Sequence, residues 1–125
     1  MTCTVISYKE NPTDGLIVNT TSRSQEDWSR ELSPFFLGPV KLYGWNTAKN
    51  VENAWQYSKV YDRHLDDFNR PSQEYFQWAK DGWAKETADR YPMGKVQSLN
   101  FLGGMERVLI MWQLDLKYTF LCTLK

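Results

Sequence analysis

The chain has 125 residues with 15 basic and 15 acidic side chains, a formal charge of zero, which allows one soluble domain of ordinary size and no second core. The balance excludes sequence-independent coating of nucleic acid, which needs a basic excess. Six Trp, seven Tyr and six Phe make up 15% of the residues, so rings must either supply much of the core or wall a pocket for a flat ligand.

In chain order, residues 2–8 are rich in β-branched side chains. Residues 15–20 repeat that character after the turn-forming Asn11-Pro12-Thr13-Asp14-Gly15, predicting two neighbouring strands. Residues 25–31 can form one or two helical turns before Pro34 interferes. Prolines 34 and 39 bracket an aromatic run that reads as a loop feeding a short strand over 40–43. Residues 50–61 read as a helix with Asn50 as N-cap. On a helical projection Glu52, Gln56 and Lys59 form one narrow polar stripe.

Residues 62–69, which hold the single His64 and the Asp66-Asp67 pair, read as a charged, solvated connection. Arg70-Pro71-Ser72 then opens a second helix over 73–89. Its apolar stripe contains Phe76, Ala79 and Trp83, flanked by Tyr75 and Trp78, and Gly82 in its interior marks close packing or a kink. Residues 114–124 alternate as a half-buried strand would. The fold class expected is a small α+β domain, with a short mixed sheet, two main helices and an aromatic-rich core.

Cys3 and Cys122 stand at opposite ends of the chain without a Cys/His cluster, so no metal site and no cofactor is expected. No secretory signal is visible, and the apolar stretch over 108–124 is broken by Gln113, Asp115 and Lys117. A cytoplasmic protein with no membrane association is expected. Glycine-rich phosphate loops are absent.

The Glu52/Gln56/Lys59 stripe has two readings. It can be a solvated helix edge, on which Glu and Lys support the helix weakly. It can instead face a cleft, where Glu52 accepts a proton, Lys59 biases its ionisation or holds an anion, and Trp55 stacks on a base.

Residues 32–44 and Val51-Glu52-Asn53-Ala54-Trp55-Gln56-Tyr57-Ser58-Lys59 resemble the opening of the NADAR family, whose members are associated with ADP-ribose and N-glycosidic bonds. Ser33, Phe35, Pro39, Gly44, Glu52, Gln56 and Lys59 match its pattern in order. Asn53 stands where the family has His, and the family's glycine-rich Trp-Gly segment has no counterpart here. The resemblance implies that Glu52 is the catalytic acid/base, because an N-glycosidase needs a carboxylate to activate water as charge develops on the ribose. It places Lys59 near the ligand, with Gln56, Trp55, Ser33 and Phe35 as further ligand-binding candidates.

The string Asp14-Gly15-Leu16-Ile17-Val18-Asn19 is similar to a macrodomain strand end, which adds Asn19 to the ligand-binding candidates. Residues 1–95, especially residues 52–61 and Arg90-Tyr91-Pro92-Met93-Gly94-Lys95, also resemble a small early protein of T-even tailed phages, and residues 96–125 diverge from it. The functional expectation is a phage accessory protein in the host cytoplasm. Its partner is either a nucleotide-like small molecule of the ADP-ribose class, with hydrolysis of an N-glycosidic bond, or a host or anti-phage defence protein that it inhibits without catalysis.

Overall fold

The structure is a computed structural model and describes residues 17–42 and 45–101. The strands expected over 2–8 and 114–124, both cysteines and most of the divergent C-terminal segment lie outside these residues. Within the expected 15–20 strand, residues 17–20 form no strand. The Asn19 side chain accepts hydrogen bonds from the Thr21 amide at 3.0 Å and the Thr21 hydroxyl at 2.7 Å. This local turn competes with a sheet ladder for the backbone.

The first helix, α1 (Asp27–Arg30), is a single turn. Ser24 closes its start by accepting from the Glu26 amide, and the buried Ser24 and Ser29 hydroxyls share a 2.7 Å hydrogen bond. Strand β1 (Val40–Lys41) pairs antiparallel with β2 (Thr47–Ala48). Helix α2 (Val51–Gln56) follows, with Asn50 capping it by accepting from the Asn53 amide at 2.8 Å.

This helix is shorter than the spacing suggests, because the Ser58 hydroxyl donates to the Ala54 carbonyl at 2.7 Å. Such a back-bond draws the carbonyl away from the next helical turn. Lys59–Val60 instead forms strand β3, antiparallel to β4 (Asn100–Phe101). Lys59 therefore lies on a strand and not on the helix that bears Glu52.

Ser72 caps helix α3 (Gln73–Ala84), accepting from the Tyr75 amide. Tyr75, Ala79, Gly82 and Trp83 are buried, the i, i+4, i+7, i+8 stripe of a helix lying on a core. Phe76 is 39% exposed, so the inward position expected for it belongs to Tyr75. Gly82 is required by close approach: a Cβ there would lie 1.9 Å from a ring carbon of Tyr57. The helix ends at Ala84, short of the expected 89, because Lys85 turns into an extended conformation.

The architecture is α+β, with Tyr57, Tyr75 and Trp83 giving the core its bulk beside Leu42, Ala48, Ala54, Val60 and Ala79. The 62–69 segment is not a wholly solvated connection, since His64 is buried. Its ring centroid lies 4.5 Å from Trp78, 5.4 Å from Tyr75 and 5.6 Å from Tyr61. Burial, reinforced by the Arg63 charge, pushes its pKa below 6.5 and favours the neutral imidazole. Asp66 accepts from the Phe68 and Arg70 amides, so that carboxylate closes a turn. Among the described residues no helix is long and apolar enough to cross a membrane.

Candidate functional site

Helix α2 carries two rows of buried polar side chains. The first starts at Glu52 (5% exposed) and continues with Gln56 (4%). Gln56 donates from Nε2 to Glu52 Oε1 at 2.8 Å, and Lys59 donates from Nζ to Gln56 Oε1 at 2.9 Å. The amide thus bridges carboxylate and ammonium and orients both. Lys59 Nζ also sits 4.9 Å from the centre of the Trp55 ring, a cation–π arrangement. Burial lowers the Lys59 pKa from 10.5, and the Glu52 charge opposes that shift.

This geometry overturns the solvated-edge reading of the stripe. Glu52 and Gln56 are interior groups and Lys59 is half-buried. Burying a carboxylate and an ammonium is costly unless they are held by hydrogen bonds and compensating charge, and the bridge through Gln56 supplies both.

The turn over 33–37 supports the start of α2. Pro34 accepts from the Glu52 amide and Leu37 from the Val51 amide, each at 2.9 Å, satisfying two of the donors that a helix leaves open at its N-terminus. Ser33 is buried, and its hydroxyl accepts from the Phe35 amide at 3.3 Å while its carbonyl accepts from Phe36 and Leu37. Ser33 is therefore a turn-former that positions Glu52 through the backbone. Phe35 lies under the Arg90 guanidinium, 4.8 Å from the ring centre. Trp55 is 5% exposed, a buried wall and not an open stacking platform. Asn19 closes its own turn, and none of its hydrogen bonds reaches the Glu52 row.

The second row was not singled out as a site by its residue types. Asn53 is fully buried, accepts from the Asp89 amide at 2.8 Å, and donates to the carbonyls of Lys85 at 3.1 Å and Thr87 at 2.9 Å. One turn on, the Tyr57 hydroxyl donates to the Asp89 carboxylate, and Lys85 Nζ donates to both groups. Lys85 and Tyr57 hold the Asp89 carboxyl below its usual range, whereas burial and Asp89 push the Tyr57 phenol up. The signal available in the sequence was an Asn between Glu52 and Ala54 of a helix, followed some thirty residues later by Lys and Asp four apart.

Among the described residues no group of three His, Cys, Asp or Glu could hold a metal ion. Comparison with protein-family models, with curated proteins and with solved structures finds no match. Chemically, the first row offers a buried proton acceptor at Glu52 and a cation at Lys59, held in register by one amide.

Proposed function

We propose that this chain is a NADAR-like accessory protein of a tailed phage, acting in the host cytoplasm, that binds an ADP-ribose-class nucleotide beside the Glu52 row and hydrolyses an N-glycosidic bond. The observation that carries this reading is the hydrogen-bonded chain from the buried Glu52 through Gln56 to Lys59, which joins three of the seven residues of the motif resemblance. Glu52 takes a proton from the attacking water as the bond from ribose to base breaks, and the departing base carries away the bonding electron pair. Lys59 supplies positive charge toward the phosphate end of the ligand. Ser33 and Pro34 fix the start of the helix that bears Glu52.

The test is ADP-ribose titration calorimetry on the full chain, together with release of free base from an N-glycosidic nucleotide, for the native protein and Glu52→Gln. Binding retained with base release lowered by about a hundredfold or more supports catalysis by Glu52. Absence of ADP-ribose binding to the native chain removes the reading.

A second reading, inhibition of a host or defence protein, is favoured by a different observation. Trp28, Phe36, Trp45 and Phe68 are each more than half exposed, and aromatic anchors of this kind carry much of the energy of protein interfaces. If Glu52→Gln leaves the effect on the host intact while Trp45→Ala abolishes it, the inhibitor reading replaces the enzymatic one.

A further inference from the structure

A cavity of about 510 Å³ opens between the Asp62–His64 turn and the segment that leads into β4. The size lies in the range of small-molecule sites. Neither Glu52, Gln56 nor Lys59 lines it. The pairing of β3 with β4, extended by the Leu99 amide donating to the Val60 carbonyl at 2.9 Å, brings the two walls together.

One wall is Tyr61, Asp62 and Arg63; the other is Met93, Val96, Gln97 and Leu99. Tyr61 is 4% exposed and forms part of the cavity wall. Its phenol hydroxyl can both donate and accept, and a ligand in the cavity that Tyr61 lines can pair with it. Burial raises the Tyr61 pKa above 10.0, so the hydroxyl stays available as a donor. Tyr91 holds φ at 62° and Gly94 at 75°, and the turn between them presents Met93 to the cavity. A positive φ at a bulky residue such as Tyr91 is uncommon.

The geometry points to a binding site for an uncharged, planar heteroaromatic molecule of the nucleobase type, separate from the Glu52 row. Asp62 and Arg63 contribute one charge of each sign, which suits a neutral ligand with both donors and acceptors and disfavours a phosphate ester. The Gln97 amide presents a donor and an acceptor side by side, the pattern that pairs with an adenine edge. Met93, Val96 and Leu99 offer a soft apolar surface to a ring face, and thioether sulfur packs well against aromatic rings.

Adenine is the probe, titrated into the full chain by calorimetry or ligand-observed NMR. Saturable binding is expected, weakened about tenfold or more by Val96→Trp. Val96 is 65% exposed, so this change fills the cavity without disturbing the core, and an unchanged Tm confirms the fold. Glu52→Gln is expected to leave adenine binding unaltered, which separates this site from the proposed catalytic one. No binding at about 5 mM adenine, equal binding to Val96→Trp, loss of binding in Glu52→Gln, or tighter binding of AMP than of adenine would each overturn the assignment.

Discussion

The two polar rows of α2 start one residue apart and differ in where their hydrogen bonds end. The Asn53–Tyr57 row ends on other parts of the chain, tying the Lys85, Thr87 and Asp89 backbone and the Lys85 and Asp89 side chains to the helix. The Glu52 row is bonded along itself, from Glu52 to Gln56 to Lys59. Buried polar networks that fasten distant backbone specify the fold. The side chains of the Glu52 row fasten no distant backbone among the described residues, and this is the row to which the proposed function assigns the chemistry.

The sharpest way to break this contrast is Asn53→Ala. Two carbonyls and one amide of the 85–89 segment lose the fully buried side chain that fastens them, and at about 1 kcal/mol or more for each group, a loss of about 3–4 kcal/mol is expected. Chemical denaturation measures it. Gly82→Ala comes next, because its methyl group collides with the Tyr57 ring; overpacking predicts a loss of about 2–3 kcal/mol, read as a lowered midpoint.

Acid sharpens the contrast further. The Asp89 pKa is lowered in the folded state from 3.8, so its contribution is present above 3.8 and is lost as pH falls through the folded value. An acid titration of stability is expected to show that limb in the native chain and a shallower one in Asp89→Asn. The smallest effect belongs to the other row. Glu52→Gln keeps an acceptor for the Gln56 amide, so stability is expected to change by less than about 1 kcal/mol. A loss as large as that of Asn53→Ala would make the Glu52 row structural as well.

Much of this arrangement was legible before the structure. Asn50 was legible as a cap and Arg70-Pro71-Ser72 as a helix entry, and Gly82 marked close packing or a kink because glycine in a helix interior has a cost; the structure makes Ser72 the cap and close packing the reason for Gly82. The residues of the Glu52 row were legible by spacing. Their burial was not, because a period of 3.6 residues gives a shared face but not its direction. The end of α2 was hidden because one hydroxyl, that of Ser58, outweighs a continuing helical pattern. Tyr75 and Phe76 are adjacent rings, and a rotation of one residue decides which enters the core. His64 read as solvated from its charged neighbours, whereas the turn it sits on directs it toward Trp78 and Tyr75. Asn53 drew its role from residues more than thirty positions away, a distance that local patterns do not span.

The central claim, that the Glu52 row meets the ligand while the Asn53 row holds the fold, is tested most directly by following side-chain N–H resonances during an ADP-ribose titration. Saturable shifts of the Gln56 amide and the Trp55 indole, with the Asn53 amide unmoved, are the predicted result. No shift at Gln56 and Trp55, or shifts confined to Asn53, would contradict it.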